Sequence, residues 1–89
     1  MKAVITVIGK DAVGIIAKVS NRCYELNVNI IDITQKVMGD MFVMIMMVEI
    51  NNLTIKFTDF VDEMTNLGKT MNLEVHTMHE DIFNTMHKI

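Results

Sequence analysis

The sequence predicts an α+β sandwich of element order β-α-β-β-α-β with a short helix added at the C-terminus. Three observations point to it. The apolar residues change period along the chain, from strand-like runs to i, i+3, i+4 spacing and back, twice over. Gly39-Asp40 separates two strand-like runs as a two-residue hairpin turn. No proline, linker or low-complexity stretch interrupts the pattern, so residues 1–89 read as a single domain.

Ala3–Ile8 is β-branched and nearly all apolar, the character of a strand covered on both faces. A loop bounded by Gly9 and Gly14 follows. Ile15, Ile16, Val19, Cys23 and Leu26 then fall at helical spacing, with Lys18, Asn21, Arg22 and Glu25 opposite. Asn27 or Asn29 can end this helix, because asparagine tolerates the left-handed conformation. Asn29–Met38 is the second strand, with Ile31, Ile33 and Val37 expected on one face and Asp32, Thr34 and Lys36 on the other. Met41–Ile50 is the third, apolar on both faces apart from Glu49, hence central.

Asn51-Asn52-Leu53-Thr54 is a loop expected to supply helix caps. Ile55, Phe57, Phe60, Val61, Met64, Leu67 and Met71 mark a second amphipathic helix, and Gly68 weakens its last turn. In the fourth strand, Leu73–Met78, Leu73, Val75 and Thr77 alternate against Glu74, His76 and Met78. Glu80–Ile89 carries Ile82, Phe83, Met86 and Ile89 at helical spacing, with Glu80 and Asp81 suited to the positive end of its dipole. Two right-handed crossovers joined in this order give a four-stranded antiparallel sheet with both helices on one face, a ferredoxin-like sandwich. The other face needs cover. Its residues are Val4 and Ile8, or Ile5 and Val7, with Val43 and Ile45, or Met44 and Met46. The C-terminal helix, a second subunit, or both could supply the cover.

Composition narrows the function classes. A net charge of −3 lacks the basic stripe of a nucleic-acid binder. The longest apolar run, Met41–Val48, is too short to span a bilayer, and the N-terminus lacks a signal-peptide cleavage site. These features describe a cytoplasmic protein. Half of the residues are apolar, a high share for so small a chain, which suggests that a partner covers some of them. Most of the ten methionines are expected to fill core.

Candidate chemistry is sparse. The central strands offer only Phe42 for stacking a base. The first loop holds no cysteine for a metal carrier and no arginine for an acyl phosphate. Gly9 and Gly14 have the spacing of a phosphate loop, but Ile15-Ile16 follow where Lys-Ser/Thr would be required. The loop does end at a helix N-terminus, where free N–H groups and the dipole favour an anion. A carboxylate could sit there; alternatively, Gly14 only shapes a tight turn and Asp11 only caps the helix. His76, His79 and His87 read as surface residues and not as a metal set, because no carboxylate or cysteine completes a tetrahedron at the usual spacing. Cys23 lies on an apolar stripe and reads as inert core. No nucleophile–base–acid set or carboxylate pair can be read, so no catalytic residue, metal or cofactor is assigned.

Several segments carry a resemblance. Lys2 through Asp11, Val13-Gly14-Ile15-Ile16-Ala17 and Leu26-Asn27-Val28-Asn29-Ile30 resemble the opening of an ACT domain. Asp32-Ile33-Thr34-Gln35, the Phe42–Val48 strand, Leu67 through Leu73 and Ile82-Phe83-x-x-Met86-His87-x-Ile89 extend the likeness over essentially the whole chain. The relatives are small stand-alone ACT proteins of bacteria and archaea, related to the regulator of the glycine cleavage system. The resemblance implies a non-catalytic regulatory module that works as a homodimer. It would hold an amino acid between the first loop of one subunit and neighbouring elements of another. Carried over, Asp11, Gly14 and Ile15 would form the loop side of the ligand site, and Asn29 and Ile30 the second-strand side. A partner protein regulated in trans would be its target. The competing expectation is a pure assembly domain without a ligand, in which the aliphatic sheet face is the interface.

Overall fold

Sequence periodicity becomes architecture through the sheet. The computed structural model describes residues 1–10 and 14–86. The elements are β1 (Lys2–Lys10), α1 (Ile15–Glu25), β2 (Asn29–Met38), β3 (Met41–Glu49), α2 (Phe57–Thr70), β4 (Glu74–His79) and α3 (Glu80–Met86). The strands lie in the order β2-β3-β1-β4, and each pairs antiparallel with its neighbours. This is the expected ferredoxin-like fold, extended by the C-terminal helix. The two most apolar strands, β1 and β3, are the central pair, because only they have both edges and both faces to bury.

The register settles which parity faces the helices. Ala3, Ile5 and Val7 of β1 and Met44, Met46 and Val48 of β3 join Ile15, Val19 and Cys23 of α1 and Phe60 and Met64 of α2 in one buried core. Val4 is also buried, at 1% exposure, yet lies outside that core. It belongs to the opposite face, and α3 covers it there. That helix follows β4 without an intervening residue and packs on β1 and β4. Cover is partial: Ile45, Ile82 and Met86 stay exposed at 37%, 53% and 65%.

Both sheet-facing helices stop in the same way. Asn27 and Asn72 adopt the left-handed conformation at φ 61° and 57°. Behind Asn27, the Val28 amide bonds the Cys23 carbonyl at 2.8 Å and the Asn27 amide the Tyr24 carbonyl at 3.1 Å. Behind Asn72, the Leu73 amide bonds the Gly68 carbonyl at 2.8 Å and the Asn72 amide the Lys69 carbonyl at 3.3 Å. This is the Schellman pattern, in which the last carbonyls are satisfied as the chain reverses into a strand.

Four expectations need correction. A bulge between Ile30 and Asp32 in β2 shifts its parity. Ile30 and Ile33 therefore pack against the core, while Ile31 is 46% exposed. Ile16 is not on the buried stripe of α1; it is 38% exposed. The Asn51–Thr54 loop does not cap α2, whose N-cap is Lys56 with no side-chain cap bond. Its polar groups tie the loop down instead. Asn51 Oδ1 accepts from the N-terminal amine at 2.6 Å, the Asn52 carbonyl from Asn27 Nδ2 at 3.1 Å, and the Thr54 amide donates to the Leu26 carbonyl at 3.2 Å. Lastly, His79 is not a surface histidine: it is half-buried and stacks on Phe57 at a ring-centroid distance of 4.0 Å.

Gly68 has a packing reason beyond helix propensity. A β-carbon there would lie 2.5 Å from Val75 Cγ2 and 3.0 Å from the Leu73 carbonyl oxygen. The missing side chain lets α2 approach β4. Gly68→Ala is therefore expected to destabilise by about 1–3 kcal/mol despite alanine's better helix propensity. Urea unfolding of the variant checks this; a gain in stability would contradict it.

Candidate functional site

The sequence candidates divide between the two ends of the sheet. Glu49 pairs with Lys2 on one side and with Asn29 on the other, so Asn29 and Ile30 lie where β1 begins. Gly14 follows the loop at the end where β1 finishes. Lys2 to Lys10 of β1 covers about 26 Å at strand rise. The chain from Lys10 to Gly14 can reach back at most about 14 Å. At least about 12 Å therefore separates Gly14 from Asn29, too far for the amino and carboxylate groups of one amino acid to bond both through contacts of about 3 Å. The structure joins Gly14 to Ile15 and Asn29 to Ile30, but not the two pairs to each other. Asp11 lies outside the described residues.

At the loop end, Gly14 is the N-cap of α1 with φ 84°, and it makes no side-chain cap bond. Its carbonyl accepts from the Lys18 amide at 3.0 Å, the first bond of the helix. The amides of the first turn have no intrahelical acceptor, as at any helix start. A β-carbon on Gly14 would meet nothing within 4 Å. The glycine is required by its positive φ and not by crowding, and the approach to the helix start is open. Ile15 is 1% exposed and packs in the core. It can offer a ligand its amide but not its side chain. At the other end Asn29 is exposed and Ile30 half-buried against the core.

An open hollow of about 490 Å³ lies at the finishing end of β1, with Ile8, Gly9, Met41 and Leu73 among its apolar walls and Lys10, Lys69, Asn72 and Glu74 at its margin. Gly9 makes room for Leu73 in that wall: a β-carbon there would stand 2.2 Å from Leu73 Cδ2. Among the described residues, Lys10 has a 3.7 Å contact to Asp40 between two largely exposed side chains. Such a pair is weak and easily redirected. Sequence reasoning does not single out Lys10 or Lys69, because only the antiparallel topology brings residue 69 beside residue 10.

Comparison with known proteins agrees with the fold. The ACT domain family model matches residues 2–78. The chain belongs to the ACT domain family. A UPF0237 protein of Listeria innocua is 47% identical over 89 residues, covering 100% of both chains. Another from Methanocaldococcus jannaschii is 41% identical over 88 residues, covering 99% of this chain and 98% of its own. Among solved structures, an ACT domain protein from Streptococcus pneumoniae superposes with a TM-score of 0.82 at 40% identity, over 93% of each chain. A protein assigned as a glycine cleavage system transcriptional repressor superposes with a TM-score of 0.72 at 25% identity, over 86% of this chain and 44% of its own. ACT domains are regulatory modules that typically bind small ligands.

Two further polar groups of this ACT domain make structural contacts. Arg22, the single arginine, bonds Glu25 through Nε at 3.1 Å and Glu63 of α2 through Nη1. It ties the two helices together. His76 Nε2 and Glu74 Oε2 are 3.1 Å apart on the exposed side of β4. Among the described residues no group of three His, Cys, Asp or Glu side chains could hold a metal ion, and no helix is long and apolar enough to cross a membrane. His87 lies outside the described residues.

Cys23 is fully buried, and desolvation pushes its thiol up to about 11. The neutral thiol is the folded form, so its contribution is complete below about pH 9, the ordinary value, and is lost as pH climbs toward 11. The native protein is expected not to react with a thiol reagent at pH 8 and to react fully in denaturant. Fast labelling of the native form would contradict the burial.

Proposed function

We propose that this ACT domain is a non-catalytic sensor that binds an amino acid and works as a homo-oligomer in the cytoplasm, acting on a partner protein in trans. One observation carries the reading. Gly14 and Ile15 lie at one end of the sheet and Asn29 and Ile30 at the other, so a site that uses both needs two chains. The open helix start at Gly14 suits the ligand carboxylate through its free amides and dipole. The exposed Asn29 of a second copy, or Asp11, suits the amine. Lys10 and Lys69 at the same end add positive potential for an anionic group.

A second reading is pure assembly through the outer sheet face. The exposure of Ile45, Ile82 and Met86 around α3 favours it. On that reading Ile45→Asp abolishes association, and no amino acid matters.

A thermal-shift screen of the twenty amino acids separates the two. Sensing predicts that at least one stabilises the fold, by about 2.7 kcal/mol at a hundredfold excess over its Kd. Gly14→Val, which crowds the helix start and strains a φ of 84°, removes that response. No stabilisation by any amino acid at millimolar concentration would overturn the sensor reading.

A further inference from the structure

The outer face of the sheet carries a hollow that the proposed amino-acid site does not use. Its floor is a row of three side chains directly opposed across neighbouring strands: Ile45 of β3, Thr6 of β1 and His76 of β4. Met78, two residues beyond His76, extends the floor on the same face. Phe83 and Met86, three residues apart on α3, form the roof. These six side chains line a volume of about 310 Å³ that opens to solvent. It exists because α3 starts directly at the end of β4. The helix closes over Val4, which is 1% exposed, but stands off the next row, at Thr6.

Four of the walls are apolar, and two of those are thioethers, which pack favourably against aromatic rings. Phe83 adds a ring for stacked or edge-on contact. Two polar groups interrupt this surface. Thr6 lies between Val4 and Ile8 on that face of β1; it is half-buried, and its hydroxyl makes no hydrogen bond among the described residues. His76 shares Nε2 with Glu74 Oε2 at 3.1 Å. With the proton on that nitrogen, Nδ1 is an acceptor, and it too has no partner among the described residues. A largely apolar hollow with a few open polar groups is the pattern of a small-molecule pocket.

We propose that this hollow binds a small, neutral, two-ring aromatic molecule that carries one N–H donor, a compound of the indole type. The volume is at the lower end of the range for ligand pockets, enough for two fused rings and too small for a peptide segment. The rings would lie between Met78 on the floor and Phe83 and Met86 on the roof. The N–H has two acceptors in the wall, Thr6 Oγ1 and His76 Nδ1. A charged ligand is disfavoured, because it would bury its charge against apolar walls with no counter-charge among them. The pocket needs one chain only, and it shares no residue with the proposed amino-acid site.

Occupancy has a direct readout. Of the ten methionines, Met78 and Met86 line the hollow, whereas Met38 and Met41 face each other across the β2–β3 hairpin. A bound ring shifts the methyl resonances of the first pair and spares the second. None of the seven residues of α3 is buried, so the roof yields to admit a ligand and is then tied to the floor through it. A second copy seated on this face would fill the same space, and the same resonances report that.

The test is a titration of the full chain with indole, read by NMR of methyl-labelled methionine. Wild type should saturate at millimolar indole or below, with shifts at Met78 and Met86 and none at Met38 or Met41. Indene has the same shape without the N–H, and it should bind wild type about fivefold more weakly. The double variant Thr6→Val/His76→Phe keeps the shape and removes both acceptors, so it should bind indole no better than indene. Ile45→Trp fills the hollow and should abolish the shifts. Unchanged Met44, Met46 and Met64 resonances show that each variant is folded; should one not fold, the indole–indene comparison on wild type still decides. No shift at Met78 and Met86, equal affinity for indole and indene, or undiminished indole binding by a folded variant would each overturn the proposal. So would Met78 and Met86 resonances that move with protein concentration before any indole is added, because a second copy would then occupy the hollow. Indole has neither carboxylate nor ammonium group, so this result and the amino-acid screen stand or fall separately.

Discussion

The helix α1 has to travel the length of the sheet, and that constraint sets what the rest of the molecule can do. β1 ends at one edge of the sandwich, and β2 begins at the other, beside Glu49. The connection between them is a helix whose start and finish are therefore at opposite ends. The open amides at Gly14 belong to the start. Asn29 and Ile30 belong to the finish. A single copy of the chain cannot fold them together, because moving either would break the Schellman turn at Asn27 or the burial of Ile15. A site that used both ends would have to draw on two copies of the chain.

The energetics hold that geometry rigid. Large, fully buried side chains meet between sheet and helices, among them Phe60, Ile5, Ile15, Met44, Met46 and Met64. Each such side chain is worth about 1.5–3 kcal/mol in burial. The Arg22 bridge to Glu25 and Glu63 is partly exposed and adds little by comparison. What it adds is alignment of α1 with α2. Small residues set the distances: Gly68 lets α2 close on β4, and Gly9 makes room for Leu73. Methionine fills the centre of β3, where its unbranched chain adapts to two helices at once. The expectation that most of the ten methionines fill core does not hold: Met44, Met46 and Met64 are buried in it and Met71 packs against it, while Met1, Met38, Met41 and Met86 are exposed.

Much of this was legible from residues alone, and the reasons are physical. Strand and helix periods differ by nearly a factor of two, so Ala3–Ile8 and the Phe57–Met71 stripe announce themselves. Gly39-Asp40 between apolar runs marks the hairpin, and Met38 pairs with Met41 across it. The inert Cys23 follows from its place on an apolar stripe. The misread positions share another cause. A bulge adds one residue to a strand and flips everything before it, so Ile31 and Ile30 exchange roles with no local signal. Asn51, Asn52 and Thr54 have the composition of caps, but their partners are 25 to 50 residues away. His79 stacks on Phe57 because β4 passes the start of α2, a tertiary fact. The Lys10–Lys69 hollow is likewise a product of topology. Local chemistry is written in the sequence; which distant groups meet is decided by the sheet order.

The shared site exists only if the ligand needs residues from two chains. Subunit complementation measures this directly. Gly14→Val and Asn29→Ala each disable one half of the site, so neither variant alone should bind the amino acid that best stabilises wild type. Unfolded together and refolded as an equal mixture, they form hybrids in which one of two sites is whole. Calorimetry should then find about a quarter of the wild-type capacity at wild-type affinity. A mixture that stays silent, or either variant binding at full capacity alone, would mean that each copy carries its own site and that the shared one does not exist.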